Sequence, residues 1–297
     1  MKNMMKYVTL SDLCSTIRNN IYKIPHDIDC VIGVPRSGMI VASIISEFLN
    51  VPLGDVNSFS QFIKPSGGDR LKLFGPKEYK KILVIDDTTF SGKSMRETKE
   101  KLNEYKNKFK DVEFIYAVAY LEGDDGAKEI DFYLEDMRHK DEGWGNICLY
   151  EWCLFNHYPH VMAKIMWDLD GVFCVDPTQD SDEEKYIEYI KNAPALFTPK
   201  VRLNKILTYR CDKYRPETME WLANNGIHYN LLGMVPANNY IERHQIAPSS
   251  AEYKANIYKN DDAQLFIESE ENQAKEIARI SGKPCLCVST NKLYGGK

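Results

Sequence analysis

Short apolar runs alternate with longer amphipathic stretches along the whole chain. In the first half, the apolar runs predict three buried strands, at Ile28–Val34, Lys81–Asp87 and Glu113–Tyr120. Between them, Gly38–Leu49 and residues 92–108 have the pattern of amphipathic helices. Buried strands that alternate with helices are typical of a parallel sheet with helical crossovers. The first half is therefore predicted to be an α/β domain.

The same alternation begins again after Tyr158-Pro159, where Lys164–Asp168 predicts a new strand. Four further strands and three helices follow: strands at Lys205–Thr208, Tyr229–Met234, Ala263–Glu268 and Cys285–Val288, and helices at Pro216–Asn225, Ala251–Lys259 and Asn272–Ser281. We therefore expect two α/β domains, residues 1–160 and residues 161–297, with a boundary near residue 160.

Composition and charge exclude several classes of protein. The chain has 297 residues, of which 43% are apolar and 27% charged, values that argue against disorder, collagen and coiled coil. The net charge is −5 and no long basic block is present, so nucleic acid is not an expected partner. The sequence has no apolar run long enough for a bilayer and no signal-peptide core, which predicts a cytoplasmic protein without membrane insertion. The eight cysteines form no CxxC pair and are expected to be buried thiols.

A phosphate-binding loop is predicted in Ile82–Met95, which reads ILVIDDTTFSGKSM. An apolar strand leads into two carboxylates, then into a loop of small and hydroxylated residues, and then into a helix. Backbone N–H groups at such a helix N-terminus bind phosphate, and the loop hydroxyls add donors. The carboxylates stand where they can accept hydrogen bonds from a sugar diol. A Walker A loop is excluded because Asp87 stands where that motif needs a glycine.

This stretch resembles the motif with which type I phosphoribosyltransferases bind 5-phosphoribosyl 1-pyrophosphate (PRPP). Upstream, Val31–Met39 (VIGVPRSGM) resembles the pyrophosphate loop of the same family. The resemblance implies that Asp86 and Asp87 bind the ribose hydroxyls. It implies two phosphate-binding sets: Arg36, Ser37 and Gly38 for the pyrophosphate, and Thr88, Thr89, Phe90, Ser91, Gly92, Lys93 and Ser94 for the 5-phosphate. Mg²⁺ and cationic groups would stabilise the leaving pyrophosphate.

Two features concern the acceptor and the access of water. Purine-specific members often have an aspartate in the position of Phe90, so a hypoxanthine or guanine acceptor is not favoured. The stretch Ser58–Pro76 is rich in Gly, Pro and Lys and is predicted to be a long loop. Its central part, Lys64–Lys72, would close over the site and exclude water.

The second half contains a different pair of carboxylates, in Met166–Val172 (MWDLDGV). Asp168 and Asp170 flank one residue at a strand end, so both side chains face the same cleft. Taken alone, the pair also fits a glycosyltransferase metal–nucleotide motif or a calcium loop. Thr208, Lys254 and Glu268 follow in an order that resembles the haloacid dehalogenase-type (HAD) phosphatases.

This second resemblance implies a role for each residue. Asp168 would be the nucleophile that forms an aspartyl-phosphate, and Asp170 the general acid and then base. Thr208 and Lys254 would bind phosphoryl oxygens, with Lys259 as the alternative to Lys254. Mg²⁺ would be held by Asp168, the Asp170 backbone and Glu268.

Together, the two resemblances imply a phosphoribosyltransferase-like parallel sheet followed by a HAD-like Rossmannoid domain. A transferase fused to a phosphatase would add ribofuranose without its 5-phosphate, as in bacterial ribofuranosyl-adding enzymes of polysaccharide assembly. The leading hypothesis is therefore a glycan hydroxyl acceptor. The alternatives are a nucleobase-like acceptor, which would give a nucleoside, and a PRPP-binding regulator. The acceptor, its general base and the oligomeric state stay open, as does association with a second copy or with polysaccharide-assembly enzymes.

Overall fold

The computed structural model describes residues 5–71, 79–138, 148–177 and 183–295. The chain divides into two compact units. The first unit comprises residues 8–144, and the second comprises residues 145–297 together with the N-terminal residues up to Tyr7. None of the helices in the described ranges is both long and apolar enough to cross a membrane.

The first unit is built around a parallel five-stranded sheet. The chain begins with strand β1 (Lys6–Val8), which pairs outside this sheet. The sheet strands are β2 (Cys30–Gly33), β3 (Leu53–Asp55), β4 (Lys81–Thr89), β5 (Glu113–Leu121) and β6 (Phe132–Asp136). The helices are α1 (Leu10–Asn20), α2 (Gly38–Leu49), α3 (Val56–Ser60), α4 (Gly68–Leu71), α5 (Lys93–Lys108) and α6 (Asp124–Ala127), with a 3₁₀ turn at Ile21–Lys23.

The strand order, β3-β2-β4-β5-β6, gives this sheet a topological switch point. The chain leaves β2 for its neighbour on one side and returns to add β4 on the other side. Ligands of open α/β sheets bind at the carboxyl ends of the strands at such a point. All strand pairs of this sheet are parallel, and β2 is buried along its whole length. The predicted α/β class with a parallel sheet is confirmed.

The predicted long loop is in part helical. The end of helix α3 and the whole of helix α4 lie within Ser58–Pro76, where the sequence predicted only a loop, and strand β3 comes just before it. Asp55 caps α3 because its carboxylate accepts hydrogen bonds from the backbone N–H groups of Asn57 and Ser58. Lys72, at the end of the predicted closing segment, lies outside the described residues.

The second unit contains a sheet of six strands in the order β10-β9-β8-β11-β12-β13. Its strands are β8 (Ile165–Trp167), β9 (Leu203–Cys211), β10 (Tyr229–Val235), β11 (Leu265–Glu268), β12 (Cys285–Cys287) and the antiparallel edge strand β13 (Lys292–Tyr294), while β7 (Cys148–Tyr150) pairs with β1. Its helices are α7 (Pro159–Met162), α8 (Glu183–Asn192), α9 (Arg215–Asn224), α10 (Tyr240–Ile246), α11 (Ser250–Lys259) and α12 (Glu271–Ser281), with 3₁₀ turns at Glu151–Asn156 and Asp212–Tyr214. The switch point lies between β8 and β11.

The division between the units lies between residues 144 and 145, whereas the sequence predicts a boundary near residue 160. The turn signal at Tyr158-Pro159 corresponds to the start of α7 inside the second unit. Leu149 and Leu154 are buried in the same apolar cluster as Trp167 of β8, so the segment that holds them packs with the second unit. Burial of these side chains, rather than the turn, decides where the second unit begins.

We expect Gly38→Ala to destabilise the chain. A β-carbon on Gly38 would lie 2.8 Å from the carbonyl oxygen of Ile85 and 2.8 Å from Oδ1 of Asp86, and the backbone atom cannot turn aside. The free energy of unfolding, measured with urea, should fall by about 1–3 kcal/mol. Ser43→Ala in the same helix is the control and should change it little. Equal or greater stability of Gly38→Ala would show that α2 does not approach β4 this closely.

Candidate functional site

Two loops meet at the switch point of the first sheet. Strands β2 and β4 are parallel neighbours, with Gly33 opposite Ile85, so the loops that leave their carboxyl ends lie side by side. The backbone N–H of Val34 donates to the carbonyl of Ile85 at 3.0 Å. Gly38 begins α2 directly against Asp86. The structure therefore brings together the two loops that the sequence resemblance assigned to pyrophosphate and to ribose 5-phosphate.

Asp86 is a buried carboxylate with two hydrogen-bond donors. Its Oδ1 accepts from the backbone N–H of Asp87 at 2.9 Å, and its Oδ2 accepts from the hydroxyl of Ser94 at 3.0 Å. Burial, and then the charge of Asp87, raise the pKa of Asp86 well above its ordinary value. Burial and the neighbouring charge therefore favour the protonated form of Asp86, and sugar hydroxyl donors or a cation would stabilise its ionised form.

The loop after Asp87 is held by backbone contacts. Gly92 has a φ of 72°, a left-handed conformation that glycine adopts without steric cost, and α5 begins at the next residue. The carbonyl of Ser91 accepts from Nη1 of Arg96 at 3.0 Å, and the carbonyl of Phe90 accepts from the N–H of Gly126 at 2.9 Å. The first-turn N–H groups of α5 have no acceptor within the helix, which is the arrangement that binds phosphate.

The side chains around these loops differ in access to solvent. Arg36, Ser91 and Lys93 are exposed and Ser37 is half-buried, so they can reach an anionic ligand. Phe90 is an apolar side chain that is nevertheless 55% exposed. Two predicted phosphate-binding residues, Thr88 and Thr89, belong to strand β4 rather than to the loop. Thr89 is also buried against Gly126, which makes its hydroxyl the least accessible of the set.

In the second unit, a buried lysine bridges two carboxylates at the switch point. Nζ of Lys254 donates to Oδ2 of Asp168 at 2.7 Å and to Oε2 of Glu268 at 2.8 Å. All three residues are at most 4% exposed. Burial disfavours the ammonium, but the two carboxylates outweigh this effect and raise the pKa of Lys254. Lys259 is exposed at the end of α11, so the geometry selects Lys254 of the two predicted lysines.

Asp170 is held in a second ion pair, with Arg210. Nη2 of Arg210 donates to Oδ1 of Asp170 at 2.5 Å and its Nε donates to Oδ2 at 3.0 Å, while the hydroxyl of Tyr189 donates to Oδ1 at 2.7 Å. Burial alone would raise the pKa of Asp170, but Arg210 and these hydrogen bonds outweigh it and the pKa lies below its ordinary value. The pairing favours the ionised form, in which Asp170 accepts a proton rather than donates one.

Thr208 does not end a strand as the sequence predicted. Strand β9 continues to Cys211, and Thr208 is 1% exposed. Its hydroxyl accepts from the backbone N–H of Arg210 at 3.3 Å. The longer strand carries Arg210 to Asp170, so the residue that the sequence analysis missed lies two positions beyond the residue it selected.

The predicted Mg²⁺ ligands of the second unit are close together but already occupied in part. Both oxygens of Glu268 accept hydrogen bonds, one from Lys254 and one from the N–H of Ser269. Among the described residues, no group of three or more His, Cys, Asp or Glu side chains is arranged to hold a metal ion. The Asp170 carbonyl likewise accepts from the hydroxyl of Ser269 at 3.2 Å, so each of these two predicted ligands already has a partner within the protein.

Residues 8–148, which span the first unit, match the family model described as the phosphoribosyl transferase domain. A search of the curated proteins found no match. Similar solved structures include the Helicobacter pylori xanthine-guanine-hypoxanthine phosphoribosyltransferase, at 15% identity and a TM-score of 0.36, which covers 50% of this chain and 92% of that chain. A purine phosphoribosyltransferase from Pyrococcus horikoshii is 22% identical, with a TM-score of 0.35 and coverage of 50% and 93%. A chain of a Pnkp1/Rnl/Hen1 complex covers 99% of this chain and 98% of its own length, at 16% identity and a TM-score of 0.28.

We expect Lys254→Met to destabilise the chain in a pH-dependent way. Burial and Glu268 raise the pKa of Asp168, and Lys254 opposes them, so loss of the ammonium raises that pKa further. A carboxyl group whose folded-state pKa is raised favours folding below its unfolded pKa of about 3.9, and this contribution is lost as the pH rises through the folded-state pKa. The penalty should reach about 3–5 kcal/mol near neutral pH and be smaller near pH 5.

The measurement is urea unfolding at both pH values, with Lys259→Met as the matched control. Lys259 lies on the same helix but is exposed, so its replacement should be nearly neutral at both pH values. A penalty for Lys254→Met that does not grow with pH would contradict the buried ion pair.

Proposed function

We propose that this chain transfers the 5-phosphoribosyl group from PRPP to a hydroxyl group of a glycan, releases pyrophosphate, and then removes the 5-phosphate to leave a β-ribofuranosyl residue. The observation that carries the first step is the meeting of the loops 34–37 and 86–94 at the switch point of a phosphoribosyltransferase domain. The second step is supported by the buried Asp168–Lys254–Glu268 cluster.

In the transfer step, the protein would position PRPP and stabilise charge. Asp86 and Asp87 would accept hydrogen bonds from the ribose hydroxyls, and the first-turn N–H groups of α5 would hold the 5-phosphate. Arg36 is exposed beside them and would contact the pyrophosphate. When bound with PRPP, Mg²⁺ would neutralise charge on the leaving pyrophosphate. Attack on the face opposite that group inverts C1 of the α-configured sugar, which gives the β-linkage.

Phe90 supports an acceptor that has an apolar face. Its side chain is 55% exposed on the loop that carries the 5-phosphate contacts. The C–H face of a sugar ring packs well on an aromatic ring, and exposure of a large apolar side chain in a binding loop suggests such a contact. A nucleobase-like heterocycle is the alternative acceptor, because it would stack on the same ring. A PRPP-binding regulator is the further alternative, and it would bind PRPP without turnover.

In the phosphatase step, Asp168 would attack the phosphorus atom to form an aspartyl-phosphate, while the bond from phosphorus to the sugar oxygen breaks and that oxygen takes a proton from solvent water. A second water would then hydrolyse the aspartyl-phosphate, which releases inorganic phosphate and frees Asp168. Lys254 would orient Asp168 and bind a phosphoryl oxygen. Asp170, held by Arg210, would take a proton from the attacking water. Hydrolysis of the phosphate would make the addition of ribose irreversible, which explains why both activities would be useful on one chain.

Mass spectrometry of products from PRPP, Mg²⁺ and a panel of glycan and nucleobase acceptors tests the proposed function. We expect the acceptor to gain one ribosyl group without phosphate, together with release of pyrophosphate. Asp86→Asn with Asp87→Asn should abolish pyrophosphate release, because neutral amides accept less strongly from the ribose hydroxyls, and should preserve hydrolysis of a small phosphate ester. PRPP binding without turnover of any acceptor would favour the regulator.

Asp168→Asn should stop the reaction at its midpoint. The amide keeps the size of the side chain but is a poor nucleophile, so PRPP should still be consumed and an acceptor that carries ribose 5-phosphate should accumulate. Addition of the wild-type chain should then remove the phosphate. Fully dephosphorylated product from the variant would exclude Asp168 as nucleophile. A phosphorylated product that the wild-type chain does not process would show that the two steps are not consecutive.

A further inference from the structure

A groove in the first unit lies between helix α5 and strand β5. It has a volume of about 380 Å³, within the range of small-molecule sites. It is lined by side chains of three kinds: the apolar and aromatic Leu102, Phe114 and Tyr116, the amide of Asn103 with the amines of Lys99 and Lys106, and the carboxylate of Asp131. None of these residues belongs to the PRPP loops.

The aromatic floor of the groove consists of the rings of Phe114 and Tyr116. The rings of Phe114 and Tyr116 lie 6.2 Å apart and are inclined by only 28°. Burial raises the pKa of Tyr116 to about 12, so its hydroxyl keeps its proton near neutral pH and can donate. The carboxylate of Asp131 accepts from the backbone N–H of Tyr116 at 2.7 Å, which directs one of its oxygens to the main chain rather than to a ligand.

The two lysines that line the groove, Lys99 and Lys106, favour the binding of an anion. Nζ of Lys99 lies 5.1 Å from the centre of the Tyr116 ring and 3.3 Å from Glu129, so this ammonium is already positioned at the groove. Lys106 stands two helical turns further along α5 and has no ion-pair partner among the residues that the structure describes. The Asn103 side chain lies between them in sequence and adds amide donors.

We propose that this groove is a second ligand site, which binds an organic phosphate with a planar aromatic body of the size of a nucleoside monophosphate. The planar body would pack against the aromatic floor, and the phosphate would bind the two lysines. The site is separate from the PRPP loops, although it shares helix α5 with them. Glu129 connects the groove with the PRPP loop. It accepts hydrogen bonds from Lys99 in the groove and from Arg96. Nη1 of Arg96 also donates to the Ser91 carbonyl of the PRPP loop.

Isothermal titration calorimetry of AMP into the chain saturated with PRPP and Mg²⁺ tests the proposal. PRPP blocks the loop at which AMP would otherwise bind as a product analogue. We expect one AMP site with a Kd below about 1 mM. Ribose 5-phosphate and inorganic phosphate, which lack the ring, should bind at least about tenfold more weakly.

Two variants test whether AMP binds in the groove or is attracted unspecifically to lysines on the surface. Lys99→Gln with Lys106→Gln should weaken AMP binding at least about tenfold, because both charge-assisted contacts are lost. Lys101→Gln is the matched control: Lys101 lies on the same helix, but its Nζ is 3.2 Å from Asn57 and outside the groove, so AMP binding should not change. The melting temperature of Lys101→Gln should match the wild type, since Lys101 is exposed. That of the double variant should fall slightly, because the half-buried Lys99 loses its ion pair with Glu129.

The AMP titrations test the groove independently of whether the chain is a PRPP-dependent transferase. If the wild-type chain binds no AMP up to about 10 mM, or if the double variant binds it as the wild type does, the groove is not a nucleotide site. If PRPP itself does not bind, AMP is titrated into the free chain instead. A single site that the double variant loses would then support the groove while the proposed transferase function fails.

Discussion

Each unit of this chain must keep an aspartate ionisable at the buried end of a central parallel strand. Asp86 ends the apolar part of β4 and Asp168 follows β8, and both are less than a tenth exposed. A buried carboxylate costs several kcal/mol unless hydrogen bonds or a cation compensate for its lost hydration. The neighbouring elements therefore supply hydrogen-bond donors or a cation at these two positions.

The two units compensate the charge in different ways. Around Asp86 the contacts that the structure gives are neutral donors, the N–H of Asp87 and the hydroxyl of Ser94, and its pKa is raised. Around Asp168 a full cation, Lys254, is buried with the carboxylate and is shared with Glu268. In both arrangements burial raises the pKa of the aspartate, but only in the second does a buried cation oppose that rise.

Local pattern was sufficient to predict the central strands β2, β4 and β5 of the first sheet, but not the strands β3 and β6 at its edges. Helix α2 begins at Gly38 and ends at Leu49, as predicted, because its apolar spacing is regular and flanking glycine and proline signals are clear. The adjacent carboxylates Asp86 and Asp87 were likewise recognised from one continuous motif. Such features depend on residues close in sequence, so they can be recognised without knowledge of the fold.

Features that depend on pairing across the fold could not be found in this way. Arg210 stands forty positions from Asp170 and lies within a strand, where a charged residue carries no local sign of its partner. The phosphate role expected for Thr208 rested on an assumed strand end, and β9 continues beyond it. The division at 144/145 differs from the predicted boundary near residue 160, and burial of Leu149 and Leu154 with the second unit has no counterpart in turn signals.

The charge of each cleft is matched to a different step of the proposed reaction. PRPP presents hydroxyl donors and travels with Mg²⁺, so it suits a strand end where the donors to Asp86 are neutral, the N–H of Asp87 and the hydroxyl of Ser94. A phosphomonoester presents a dianion, which an unpaired carboxylate would repel. In the second unit, Lys254 pairs with Asp168 and Arg210 pairs with Asp170, so part of the carboxylate charge that an incoming phosphate would meet is offset. In the proposed reaction, aspartates at equivalent strand ends would therefore serve different electrostatic tasks, and the buried cations of the second unit would make the difference between them.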